Sequence, residues 1–246
     1  MKSFFVLSML IAGQLCSPNE LLYAQNQGGF AVVELFTSEG CSSCPPADEV
    51  AKELAAENIS HVYILAFHVD YWDHLGWKDV YSDAAYSNRQ QVYAHYFGVN
   101  NIYTPQAIVN GSSQLVGSDK KQLHNIIDEE LRKKAAHSIV LKADLSNSKM
   151  VNVTYRIPGG TENSLNIALV QVGAQTDVHG GENQGKRLHH INIVREFKTL
   201  NQPVEQGHMV LSLPNGSVLD NFRVIAFLQN KNNWHITAST ATPISD

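Results

Sequence analysis

Cysteine is scarce in this chain: three residues in 246 cannot build a disulfide framework. Nowhere does the sequence hold about 20 uninterrupted apolar residues, so no helix of the mature chain is expected to span a bilayer. Runs of like charge are missing too. The 18 Lys and Arg are set against 23 Asp and Glu, a net charge of -5, and this excludes charge-driven binding to nucleic acid or anionic membrane. Internal repeats and low-complexity linkers are absent. What remains is an ordinary globular composition, long enough for one large domain or two small ones.

The N-terminus pairs Lys2 with an apolar run from Phe4 to Ala12 and a small residue at Ala24, which reads as a secretory signal peptide over residues 1–24. Lipid attachment is disfavoured because Cys16 follows Gln14 and Leu15 rather than small residues. Cleavage would remove Cys16 and leave Cys41 and Cys44 as one pair in an exported protein, periplasmic or secreted. Two residues apart, they close too small a loop to act as a useful staple.

The pair lies in "SEGCSSCPPAD", between two readable elements. Phe30–Thr37 is a short apolar, β-favouring run, and Ala47, Val50, Ala51, Leu54 and Ala55 share one helical face. The next apolar run, His61–Asp70, predicts a second strand parallel to the first, whose end brings His68 and Asp70 to the edge that holds Cys41. Ser82–Phe97 reads as a helix with Ser82 as N-cap and Gly98 as terminator. Asn110-Gly111 marks a hairpin, and a last helix is expected from Ser118 to about Ala136.

Beyond His137 the pattern is one of short β runs: 139–145, 151–157, 165–172, 208–213, 222–229 and 234–240. Turn signals at Pro158-Gly159-Gly160 and Pro214-Asn215-Gly216 separate them. The expectation is therefore an α/β domain over 25–136 with a mixed sheet, followed by a mainly antiparallel β-sandwich-like domain over 137–246.

Strand, Cys-x-x-Cys, helix, strand, helix, and Thr104-Pro105 entering a hairpin is an order that resembles the thioredoxin fold. The wording of "ELFTSEGCSSCPPADE", "AFHVDYWDHLGWKD", "YTPQAIVNG" and "GENQGKRLHHINIVR" is similar to a family of secreted bacterial thioredoxin-like proteins catalogued as domain of unknown function 1223 (DUF1223). The resemblance implies a cis bond before Pro105, lying against the dithiol. It also places Glu34 where thioredoxins carry a buried acid, able to relay the proton of Cys44; the other reading of Glu34 is a solvent-facing strand carboxylate.

Cys41 is the expected nucleophile and Cys44 the resolving thiol, with Thr104 beside them. Pro45 and Pro46 push the start of regular helix beyond the cysteines and weaken the help that a helix dipole can give Cys41. His68, Asp70, Trp72 and His74 are expected to shape a substrate groove, although the aromatics of that segment would equally cap the sheet. The leading expectation is an oxidoreductase acting on protein or small-molecule thiols and disulfides, recycled by an unidentified redox partner and needing no cofactor. Two alternatives stand beside it. One is a copper- or zinc-binding module using Cys41, Cys44 and His68; the other is a non-catalytic interaction domain with an idle disulfide. The polar loop from His179 to Arg195 reads by default as structural, with its Arg and Glu side chains paired to each other. In the alternative, Glu182, Asn183, Arg187, His189 and His190 meet the dithiol. Adjacent in a strand, His189 and His190 would point to opposite faces.

Overall fold

A computed structural model describes residues 28–147 and 149–246. The expected signal peptide and Cys16 lie outside the described residues. Among those residues no helix is long and apolar enough to cross a membrane.

Strand β1 (Ala31–Thr37) is buried along its whole length, and β2 (Val62–His68) pairs with it in parallel, Thr37 opposite His68. Between them runs helix α1 (Pro45–Ala56), which lays Ala47, Val50, Ala51 and Leu54 against the sheet. Side chains alternate across a strand. Ala31, Val33 and Leu35 therefore pack under α1, while Val32 and Phe36 face Tyr86 and Tyr93 of helix α2 (Ala84–Phe97) on the other side. The N-cap of α2 is Asp83, whose carboxylate accepts from the Ala85 N–H at 2.8 Å, one residue after the expected Ser82. Gly98, at φ 67°, ends the helix as predicted.

Thr104-Pro105 is cis. It leads into β3 (Gln106–Val109) and β4 (Ser113–Val116), a hairpin whose Asn110 and Gly111 take φ 47° and 66°. Helix α3 (Lys120–Leu131) is shorter than expected at both ends; Asp119 caps it by accepting from Gln122 N–H at 3.0 Å.

The second half contributes β5 (Val140–Asn147), β6 (Met150–Arg156), β7 (Ser164–Asp177), β8 (Arg187–Leu200), β9 (Gln206–Ser212), β10 (Phe222–Gln229) and β11 (Ile236–Pro243). Four of the six predicted runs match strands closely; 165–172 is matched by β7, which runs five residues further, and 234–240 by β11 two or three residues further on. The long β8 occupies what the sequence presented as a loop.

This strand changes the architecture. One eight-stranded mixed sheet runs β11-β10-β7-β8-β2-β1-β3-β4, so four of the strands after residue 137 share a sheet with the four before it. The join is the parallel pairing of β2 and β8 at Ala66 and Ile193. A single apolar core crosses it, placing Phe36, Phe67 and Tyr93 together with Val170, Val194, Phe227 and Ile236. The sandwich expectation survives locally: the three-stranded sheet β5-β6-β9 packs Val151, Val153 and Leu211 against Leu165, Ile167 and Leu169 of β7 and Val224 and Ala226 of β10.

Candidate active site

Cys41 and Cys44 are joined by a disulfide with their Cα atoms 5.4 Å apart, and both residues are fully buried. Between them Ser42 and Ser43 are exposed, so the two buried sulfurs lie under two small polar side chains. Ser43 Oγ is 3.2 Å from Cys41 Sγ and 3.4 Å from the Thr104 carbonyl oxygen, which itself lies 3.9 Å from Cys41 Sγ. Helix α1 begins at Pro45, with Cys44 as N-cap, as the proline pair predicted.

Trp72 forms one wall: its indole N–H donates to Thr104 Oγ1 at 2.9 Å and ties the residues after β2 to the cis peptide. Gly40 packs closely there, since a Cβ would stand 3.0 Å from Trp72 Cβ. Asp70 does not face the disulfide; its carboxylate accepts from Ser87 Oγ at 2.5 Å and fastens this segment to α2. His74 is exposed on a short 3-10 turn, Asp73–Leu75.

The β7–β8 connection forms another wall, which corrects the default reading of that loop. Glu182 Oε2 accepts from the Ser42 N–H at 2.9 Å. The fully buried Asn183 donates from Nδ2 to the carbonyls of Glu39 and Cys41, both at 2.9 Å. Arg187 pairs with Asp177 rather than with Glu182. His190 is buried while His189 is exposed, in keeping with strand alternation.

Behind the disulfide lies a buried titratable group that sequence reasoning assembled only in part. Glu39 Oε1 is 3.1 Å from His190 Nε2, and Glu39 Oε2 accepts from Trp77 Nε1 at 2.8 Å. His68 Nδ1 lies 2.6 Å from Asp79 Oδ2, which also accepts from the Glu39 N–H at 2.9 Å. The His68 and His190 ring centroids are 5.0 Å apart. Burial favours the neutral form of His68, but the carboxylates of Asp79, Asp48 and Glu39 together outweigh it and lift the imidazole above its ordinary value. Burial likewise works against ionised Asp79, and His68 with the backbone N–H groups of Glu39 and Tyr81 more than compensates, holding that carboxyl low.

Asp48 completes the group. It stands one turn beyond Cys44 on α1, the spacing that puts two side chains on one helical face. Thr37 Oγ1 donates to its Oδ1 at 3.0 Å, and His190 Nδ1 is 4.0 Å from its Oδ2. Desolvation pushes its pKa from 3.8 up to about 6, with His190, His68 and Thr37 offsetting part of the rise.

Glu34 is buried, yet on the opposite face of β1. Its carboxylate is bound by Arg89 Nε at 2.5 Å and Nη2 at 2.8 Å and by the Tyr93 hydroxyl at 2.5 Å. The thioredoxin-type acid expected at Glu34 is thus part of an ion pair under α2, and the acid on the α1 face is Asp48. Of the three residues named for a metal, the two sulfurs are joined to each other, and His68 meets Asp79 through Nδ1 and has no polar partner at Nε2. Among the described residues no group of three or more His, Cys, Asp or Glu side chains is arranged to hold a metal.

Fold and site together define a mixed α/β protein with a Cys-x-x-Cys disulfide at the carboxyl edge of two parallel strands. A family profile described as protein of unknown function (DUF1223) matches residues 32–229, and the chain belongs to that family. No significant match is found among curated proteins. An X-ray crystal structure of a protein from Agrobacterium tumefaciens is 26% identical and superposes with a TM-score of 0.67 over 88% of this chain and 95% of that one. A domain of the outer membrane lipoprotein Omp28 from Porphyromonas gingivalis is 16% identical, with a TM-score of 0.28 over 45% of this chain and 89% of its own.

Proposed function

We propose that this protein is an exported, thioredoxin-like thiol-disulfide oxidoreductase acting on protein or small-molecule disulfides. The observation that carries the reading is the placement of Cys41 Sγ: beside two exposed serines and 3.9 Å from the carbonyl of Thr104, whose bond to Pro105 is cis. A partner strand laid along residues 103–105 would present its disulfide to that sulfur.

In the reduced protein Cys41 attacks as thiolate, forms a mixed disulfide and releases the partner's first thiolate. Cys44 then attacks Cys41 Sγ, frees the partner's second sulfur and restores the internal disulfide. The proton of Cys44 goes to Asp48, whose position near 6 lets it accept and return a proton around neutral pH. Trp72 and the β7–β8 connection hold the walls of the site. No cofactor is required, since both electrons pass between sulfurs.

The test is a Cys44→Ser variant expressed with its leader. Partners should accumulate as mixed disulfides on Cys41, visible as reducible high-mass bands in the exported fraction. An empty trap, together with insulin reduction unaffected by Cys41→Ala, overturns the proposal.

A further inference from the structure

A thiolate placed ahead of a helix is normally held by free backbone N–H groups and the positive end of the dipole. Around Cys41 most of these donors are missing or in use. Pro45 and Pro46 occupy the first two helical positions and have no N–H. The next two, on Ala47 and Asp48, donate to the Cys44 carbonyl at 2.8 and 3.1 Å. The Cys44 N–H closes a turn onto the Cys41 carbonyl at 3.2 Å. The Ser42 N–H is taken by Glu182, and the donor remaining beside Cys41 Sγ is Ser43, whose hydroxyl oxygen stands 3.2 Å away.

Glu182 brings a full negative charge to this point. Its hydrogen bond with Ser42 holds its carboxyl below the ordinary range, so it is ionised at neutral pH. The loop that delivers it is fixed: Asn183 is buried and doubly bonded, and Gly180 packs so closely that a Cβ would lie 2.3 Å from the Gly76 carbonyl oxygen. The other charged groups around the disulfide are Glu39, Asp48 and Asp79 as acids, His68 and His190 held by two of those acids, and Lys186, whose ammonium donates to Asn183 Oδ1 at 2.9 Å. The Thr104 carbonyl facing Cys41 Sγ accepts from a thiol and repels a thiolate.

We infer that Glu182 is a positioning residue that keeps Cys41 protonated and the Cys41–Cys44 disulfide favoured, so that the reduced protein donates electrons to partner disulfides instead of oxidising partner thiols. This rests on the oxidoreductase reading. Each turnover moves two electrons and two protons from the dithiol to the partner, which ends as two thiols, and a dithiol electron donor must reduce the protein again.

Two measurements test the inference. In a Cys16→Ser, Cys44→Ser background, where one thiol titrates, the rate of iodoacetamide alkylation is followed against pH. Cys41 should titrate at or above about 8.5, the ordinary cysteine value. Glu182 is exposed and its charge is screened by water, so Glu182→Gln should raise the thiolate fraction about two- to threefold at pH 7, and Lys186→Met should lower it. In the Cys16→Ser protein with both active cysteines, Glu182→Gln should shift the equilibrium with glutathione toward the dithiol by a similar factor. A thiolate titrating below pH 7 in the parent, or no change in either measurement on Glu182→Gln, overturns the role of Glu182. An empty Cys44→Ser trap alongside these shifts would defeat the oxidoreductase reading while leaving the electrostatic assignment intact.

Discussion

His190 Nδ1 stands 4.0 Å from Asp48 Oδ2, and the two residues reach that position from opposite halves of the chain, one on β8 and one on α1. The imidazole is held from its other nitrogen by Glu39, and the carboxylate by Thr37. A proton released behind the disulfide therefore meets groups already fixed in orientation, which is why Asp48 carries the proton step of the proposed reaction.

The raised pKa of Asp48 has a consequence for stability. Its carboxyl titrates at about 6 in the folded chain against an ordinary 3.8. A carboxyl raised by folding favours the folded state fully below about pH 4, and that advantage is lost as pH rises through about 6. Asp48→Asn should therefore leave the melting temperature unchanged at pH 4 and raise it at pH 8. With its side chain 12% exposed, the burial cost is partly relieved by water, and a gain of about 1–2 kcal/mol is expected from roughly 1.4 kcal/mol per pKa unit. Thermal melts at the two pH values decide it: an equal or lower melting temperature for the variant at pH 8 would show that the ionised carboxylate is fully compensated.

Glu34 and Arg89 are expected to matter for folding and not for thiol exchange. Both side chains are buried, and breaking such a pair leaves an uncompensated charge in the core at a cost of about 3–5 kcal/mol. Arg89→Met should lose that much in urea unfolding. Glu34→Gln, assayed where it remains folded, should keep its mixed-disulfide formation rate within about twofold of the parent. A drop of tenfold or more in that rate would return the proton-carrier role to Glu34.

Which parts of this architecture can be read from the residues follows from their chemistry. β1, α1 and β2 announce themselves because their buried positions are apolar, and Asn110-Gly111 announces the hairpin because both residues tolerate positive φ. β8 hides because two of its buried positions hold His190 and Asn192, which break the apolar pattern. Those polar residues meet partners distant in sequence, His190 through Nε2 with Glu39 and Asn192 with Arg223 at 2.8 Å. Glu39 and Asp79 are hidden for the same reason. Asp48 does leave a signal, its spacing of one turn from Cys44, but Glu34 looks more like the expected acid until strand alternation puts it under α2.

Because β8 joins the halves, residues 28–136 should not fold alone. Phe67 packs edge-on against Tyr86 and Phe197, with ring centroids 5.2 and 5.3 Å away, and cutting the chain removes the second contact along with Val194, Phe227 and Ile236. It also exposes an unpaired β2 edge. The fragment should show no cooperative thermal transition by circular dichroism and should bind a hydrophobic dye. A sharp two-state melt would restore the picture of an independent first domain.

Gly98 and Gly111 have almost the same φ, 67° and 66°, in different surroundings, and comparing them separates strain from crowding. Around Gly98 nothing lies within 4 Å of an added Cβ, so Gly98→Ala should cost only the left-handed conformation, about 1 kcal/mol. At Gly111 the same methyl would stand 1.9 Å from the Trp234 carbonyl oxygen. That oxygen cannot withdraw freely, because it accepts from Gln229 Nε2 at 2.8 Å and the neighbouring Ile236 N–H donates to Asn110 at 2.9 Å, fastening β11 to the hairpin. Gly111→Ala should therefore cost at least about 3 kcal/mol, within the range of buried steric insertions added to backbone strain. Urea unfolding of the two variants reads the difference. Equal losses would mean that the Trp234 segment yields without resistance, and that the contact between hairpin and β11 contributes little to holding the two halves together.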